Sequence, residues 1–325
     1  MNDHCQGRGD VHTSRLLFYL NELTDEKFAN IVPLKNNVWL CEGEEQQWIL
    51  KAFSSLRSLQ NQVTLTNFLR SSAFNHTYQF HPIHQRVNVF FEGTCYGLIE
   101  YISPHYKKSF HYQTKRNRTA ALLLLTNYHQ TVRHFFDKIK NQLSSFHQLD
   151  KWQQRLSMFK QNLPMITAYF PSYYLFTYID WAEWSLEKMQ QMKDDLVKEK
   201  QSVIHGDLAD HNFLLGADQR LYLIDFDLIR IAPEMIDMLQ IANRMLPFLN
   251  WSLQELWTYK AFQRYEQSSL FFIALAFPTD IFREWNRFVK SSKKKQQLIW
   301  NYLSNLTFQQ FAQRKQFFKT ISKSL

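Results

Sequence analysis

The 325-residue chain predicts an α+β fold, with a small mixed lobe over residues 1–100 and a larger, mainly helical lobe over residues 101–325. Three observations predict it. The first hundred residues run strands, helix, strands, each short and bounded by turn residues. The remainder carries apolar residues mostly at helical spacing. One polar-edged hairpin, at 203–227, interrupts those helices.

The elements follow in order. Leu16, Leu17 and Leu20 mark a leading helix. Residues 38–41 and 47–53 read as strands around the turn Glu42-Gly43-Glu44-Glu45. Leu59, Gln62, Thr66 and Leu69 recur at helical spacing. Residues 87–91 and 96–101 form a second hairpin around Gly93. Residues 98–104 then link the lobes. Helices are expected at 120–132, 151–162, 181–200, 235–249, 253–267, 281–288 and 296–318. No internal repeat or low-complexity linker breaks this order.

Composition excludes several classes. Seven glycines are too few for Gly-rich disorder or a dinucleotide-binding fingerprint. The net charge of +9 could attract anions, but the basic residues are dispersed. The two local runs, 107–118 and 290–295, carry no nucleic-acid-binding signature, so nucleic acid is not an expected partner. Cys5, Cys41 and Cys95 are odd in number and widely spaced, which gives neither a disulfide framework nor a CxxC metal site and fits a reducing, cytoplasmic setting. The N-terminus lacks the apolar core of a signal peptide. The apolar runs 120–125 and 270–277 are too short for a membrane span. His76, His81 and His84 cluster without a nearby cysteine, so zinc is not expected there. Trp181, Trp184, Trp251, Trp257 and Trp285 read as core and inter-helix packing.

The chemistry concentrates in His205-Gly206-Asp207-Leu208-Ala209-Asp210-His211-Asn212 and Leu221-Tyr222-Leu223-Ile224-Asp225-Phe226-Asp227. Val203-Ile204 enters the first segment and Phe213-Leu214-Leu215 leaves it. Gly216-Ala217-Asp218-Gln219 has hairpin-turn chemistry, and 221–224 is the returning strand. Asp207 is placed to accept a hydroxyl proton. Asn212 and Asp225 are placed to hold Mg²⁺, a hard cation that prefers oxygen ligands. Turn-capping Asp and Asn residues would be the ordinary alternative, but the full spacing of both segments argues against it.

These residues resemble the aminoglycoside phosphotransferase and choline kinase superfamily, in which HGDxxxxN and IDF stand for the HRDxxxxN and DFG of protein kinases. Further residues resemble the spore-coat kinase-like proteins of the CotS/YutH type. They are Ile49-Leu50-Lys51-Ala52-Phe53, Leu98-Ile99-Glu100-Tyr101-Ile102, the strand into Asp225, and the stretch from Pro233 to Leu239 with Asn250-Trp251. The resemblance implies a protein-kinase-like bilobal fold and ATP- and Mg²⁺-dependent transfer to a hydroxyl of a small molecule or coat protein. It implies a bacterial mother cell or spore coat as the setting, with spore-coat proteins as partners. The alternative is a non-catalytic coat assembly protein on the same fold. Lys51 would contact the ATP phosphates. Backbone groups of Glu100 and Ile102 would meet the adenine. His205 and Asp237 would brace the catalytic loop. Asp227, two residues past Asp225, would share its face if both lay on one strand.

Two departures stand out. Residues 52–91 contain no Asp or Glu, so the expected acidic partner of Lys51 is missing from the following helix. Gln62 lies in its place and could accept one hydrogen bond from Lys51. A glutamate at 62 is therefore expected to be tolerated, or to tighten nucleotide binding. A Gly-rich loop is also absent: Pro33-Leu34-Lys35-Asn36-Asn37-Val38 stands there instead.

Overall fold

The computed structural model describes residues 6–325, with side chains described from residue 11, so Cys5 lies outside the described residues. Two compact units are built from interleaved segments. The first comprises 1–110, 130–143 and 211–227. The second comprises 111–129, 144–210 and 228–325. The expected division at 100/101 falls inside the first segment of the first unit.

The first unit is organised by an antiparallel sheet. Its strands are β1 (Phe28–Lys35), β2 (Val38–Gly43), β3 (Gln47–Phe53), β4 (Val89–Phe91) and β5 (Thr94–Glu100), in the order β1-β2-β3-β5-β4. Strand β1 was not expected. It is an edge strand, it contains Pro33, and only Phe28 and Ile31 are buried, so it lacks the alternation that marks a half-buried strand. Leu16 and Leu20 of the helix Gln6–Leu23 pack with Phe28, Ile31, Cys41, Trp48, Leu50, Val89, Tyr96 and Leu98 in one apolar cluster. The helix Leu56–Ser71 is capped by the Ser55 hydroxyl, which accepts the Ser58 N–H. Its inward residues are Leu59, Gln62, Leu65, Thr66 and Leu69, the predicted stripe with one addition. Gly97, opposite Lys51 in the register of β3 and β5, lets the helix approach: a Cβ there would lie 2.5 Å from the Phe53 ring and 2.9 Å from Leu59. The hairpin of β7 (Phe213–Leu215) and β8 (Leu221–Leu223) belongs to the same unit.

The second unit is mainly helical. Its two-stranded sheet pairs β6 (Gln201–Ile204) with β9 (Arg230–Pro233). The helix Ser269–Ala276 has Leu270 through Ala276 all buried, which accounts for its unbroken apolar run. Among the described residues, no helix is long and apolar enough to cross a membrane. Several expected helices are broken. The one expected at 181–200 starts earlier, at Ser172, and stops at Gln191 before a short separate helix, Lys193–Lys198. The one expected at 253–267 splits into Leu253–Trp257 and Lys260–Gln263 because Tyr259 is extended. The one at 296–318 is interrupted by a π-turn at Asn305–Gln309. Trp181, Trp251 and Trp285 are buried; Trp184 and Trp257 are partly so.

Candidate active site

In the first unit the site is built around Lys51. The alternation of β3 buries Trp48, Leu50 and Phe53 and leaves Lys51 partly covered, its side chain 16% exposed. The ammonium donates to Asp225 Oδ1 at 2.8 Å and to Asp227 Oδ1 at 2.7 Å. Asp227 thus supplies the carboxylate that the helix lacks. Gln62 does not serve Lys51. It is fully buried, and its amide N–H₂ donates to Asp227 Oδ1 at 2.8 Å while its carbonyl accepts the Tyr78 hydroxyl at 3.2 Å. The premise that Asp225 and Asp227 share one strand also fails. Strand β8 ends at Leu223, Asp225 takes a left-handed backbone (φ 69°), and Asp227 lies in the 3₁₀ turn Phe226–Leu228. The turn, not a pleat, brings both carboxylates to one ammonium.

Charge in this cluster is balanced by neighbours. Burial raises the Asp225 carboxyl, but the ammonium of Lys51, then Lys35, outweigh it and hold its pKa below the ordinary value. Tyr78 is driven upward by burial and by Asp225. Lys35 had no assigned role in the sequence. It ends β1 beside the tight Asn36-Asn37 turn that stands for a Gly-rich loop, with Asn37 at φ 63° and its carbonyl accepting the Ala52 N–H at 2.9 Å.

Asn212 is buried, and its carbonyl accepts the Ile224 N–H at 3.0 Å, tying it to the residue before Asp225. In the segment after β5, the Glu100 N–H donates to the Gln79 carbonyl at 2.8 Å, while the Ile102 N–H makes no backbone hydrogen bond among the described residues. The cluster of histidines is structural in its contacts. His76 Nδ1 lies 2.9 Å from the Leu221 carbonyl, His81 Nδ1 accepts the Ile83 N–H, and His84 Nε2 accepts the Leu98 N–H. Burial, then His81, push His84 down to about 4, which keeps it an acceptor. No group of three or more His, Cys, Asp or Glu that could hold a metal occurs among the described residues.

The loop at Asp207 lies in the second unit. Asp237, fully buried, accepts the N–H groups of His205 (2.8 Å) and Gly206 (3.0 Å). The Asp207 N–H donates to His205 Nδ1 at 3.3 Å. Gly206 has φ +81°, and a Cβ there would lie 2.6 Å from the Leu228 carbonyl oxygen. Behind Asp237, His129 Nε2 lies 3.1 Å from Oδ2 and its Nδ1 lies 2.8 Å from the Ser202 hydroxyl. The Tyr112 hydroxyl donates to the Leu208 carbonyl at 3.0 Å. His129 and Tyr112 were not legible in advance, being 76 or more residues upstream of the motif they support. Arg244 Nη2 lies 3.8 Å from Asp207 Oδ1.

The sequence profile of the phosphotransferase enzyme family matches residues 34–251, and the chain belongs to that family. Solved structures share its kinase-like α+β fold, as expected. They include an aminoglycoside phosphotransferase from Alicyclobacillus acidocaldarius (16% identity, TM-score 0.69, covering 91% of this chain and 92% of that one). Spectinomycin phosphotransferase APH(9)-Ia, in complex with ADP and spectinomycin, matches at 13% identity and TM-score 0.64, covering 96% and 98%. Choline kinase LicA from Streptococcus pneumoniae matches at 13% identity and TM-score 0.52, covering 90% and 94%. Comparison with the curated proteins returns no match.

Proposed function

We propose that the protein is an ATP- and Mg²⁺-dependent phosphotransferase that phosphorylates a hydroxyl of a small molecule. The observation that carries this reading is the meeting of Lys51 with Asp225 at 2.8 Å, 174 residues apart in sequence. Phosphoryl transfer needs a phosphate-type lysine and a metal-type carboxylate side by side. The nucleotide complexes of the spectinomycin enzyme support ATP as the donor.

Asp207 takes the proton of the acceptor hydroxyl as its oxygen bonds to the γ-phosphorus. The bond from that phosphorus to the β–γ bridging oxygen breaks, and ADP leaves with the electron pair. Asp237 holds the His205 and Gly206 amides, and so fixes the loop that carries Asp207. The Glu100 carbonyl and the Ile102 N–H would meet the adenine edge, since the Glu100 N–H is already taken by Gln79. Lys51 would bind phosphate oxygens. Asn212 and Asp225 offer an amide and a carboxylate oxygen, a donor set that suits Mg²⁺ with several retained waters. When bound, Mg²⁺ neutralises the β- and γ-phosphate oxygens.

The resemblance of the Lys51 strand and the 233–251 segment to spore-coat kinase-like proteins supports a mother-cell or spore-coat setting, with a coat protein as the other acceptor class. A non-catalytic coat assembly role is the second reading. The short Asn36-Asn37 turn in place of a Gly-rich loop favours it.

One experiment separates them. Mg²⁺-dependent thermal stabilisation by ATP is expected for wild type and for Asp207→Asn, while ADP production by Asp207→Asn falls by about 10²–10⁴-fold. Absence of nucleotide stabilisation in wild type would shift the assignment to the assembly role. Turnover by Asp207→Asn within twofold of wild type would remove Asp207 as the base.

A further inference from the structure

Several basic side chains of the second unit approach Asp207, beside its acidic neighbours Asp210 and Asp237. Arg244, from the helix Met235–Met245, reaches Asp207 at 3.8 Å. Arg230 sits opposite Ile204 in the register of β6 and β9, three residues before Asp207. The neighbouring Ile231 carbonyl accepts the Phe146 N–H at 2.8 Å, and the Lys151 ammonium lies 4.8 Å from the centre of the Phe146 ring. Lys151 is in the first turn of the helix Gln148–Ile166, and Arg155 follows it one turn later. Arg155 hydrogen-bonds Thr279, and its carbonyl accepts from Asn286 at 3.0 Å, both on the helix Thr279–Val289 that also carries Arg283.

These cations feel one another. Burial, then Arg155, with Arg283 and Arg230 behind it, push Lys151 down to about 8, and Asp207 opposes them. Burial, then Arg283, push Arg155 down to about 10, with Glu284 and Asp280 opposing them. The nearby acids are otherwise engaged. Glu284 pairs with Arg283 at 2.7 Å and Arg287 at 3.5 Å, and Asp280 with Arg314 at 2.6 Å. Among the described residues, Lys151, Arg155 and Arg230 have no carboxylate within ion-pair distance. Half-buried cations that outnumber the carboxylates facing them, Asp207 beside Lys151 and Glu284 and Asp280 beside Arg155, are costly, and an anionic ligand relieves that cost.

We propose that the hydroxyl acceptor is a small alcohol carrying a carboxylate or phosphate, held by Lys151, Arg155, Arg230 and Arg244 with its hydroxyl at Asp207. This rests on the phosphotransfer reading above. The acceptor oxygen bonds to the γ-phosphorus of ATP, its proton passes to Asp207, and ADP departs with the broken bond's electrons. The acceptor's anionic group takes no part in bond making; it anchors. A cationic acceptor, such as an aminoglycoside or choline, would be repelled by the same residues.

The test uses the full chain with ATP and Mg²⁺ and five probes: glycerate, glycerol 3-phosphate, glycerol, choline and spectinomycin. Binding is read by calorimetry and transfer by ADP release. At least one of the two anionic alcohols is expected to bind tenfold or more tighter than glycerol, and choline and spectinomycin no better than glycerol. Which of glycerate and glycerol 3-phosphate wins identifies the anionic group. Lys151→Gln and, independently, Arg230→Gln should each weaken the anionic probe about tenfold while nucleotide stabilisation persists. The exposed Lys294→Gln should change nothing. Tighter binding of choline, spectinomycin or glycerol overturns the proposal, as does unchanged affinity in both variants. Failure of nucleotide stabilisation in wild type would instead overturn the phosphotransfer reading, and so the two failures are told apart.

Discussion

An ammonium has three N–H donors, and Lys51 spends two of them on Asp225 and Asp227. Two phosphate oxygens can therefore be bound only by exchange against a carboxylate. The residue that sets the terms of this exchange is Gln62, because its amide N–H₂ holds Asp227 from the side away from solvent. The expectation of a harmless glutamate at 62 consequently reverses. Gln62→Glu would set a carboxylate against Asp227 and remove the donor, in a position with no solvent exposure. The expected outcome is a loss of about 1–3 kcal/mol in urea unfolding, the range for a buried polar group left unsatisfied, with weaker nucleotide stabilisation. A variant as stable as wild type would show that Asp227 is positioned by Lys51 alone.

At the scale of elements, the catalytic loop depends on a helix it does not belong to. The first turn of Met235–Met245 delivers Asp237 to two backbone amides of the loop. Asp237→Ala would orphan both, at about 1–3 kcal/mol for the buried His205 amide and less for the half-buried Gly206 amide. Thermal unfolding should show that loss, and ADP production should fall further than the stability change explains, since Asp207 loses its support. Full activity in a destabilised variant would limit Asp237 to a folding role. Much at this scale was legible in the sequence. Strand β3 and the stripe Leu59, Gln62, Thr66 and Leu69 were read from periodicity, and the hairpin β7–β8 from its turn residues. Strand β1 was not, because an exposed edge strand with Pro33 carries no period-two signal. The breaks near Met192 and Tyr259 were missed because no Gly or Pro marks them. The partners of the site were the least legible. Asp227 with Gln62, and Asp237 with His129, are 165 and 108 residues apart, beyond any local pattern.

At the scale of the whole chain, the segments of the two units alternate. The span 1–110 contains the five-stranded sheet but neither 130–143 nor 211–227. It lacks Phe135, which stacks on Phe68 at 5.0 Å, and both carboxylates of Lys51. A 1–110 fragment is therefore expected to unfold without a cooperative urea transition and to show poor amide dispersion in NMR spectra. A sharp transition in the fragment would show that the sheet and its two helices suffice. The same alternation has a consequence for synthesis. About a hundred residues separate the end of the first segment from the hairpin that completes its unit. At about 5–20 residues per second, the nascent unit waits on the order of ten seconds for that hairpin. Throughout that interval Lys51 lacks Asp225 and Asp227, and Gln62 has no carboxylate to donate to. The first unit is thus finished only when residue 227 has been made, long after the last strand of its five-stranded sheet.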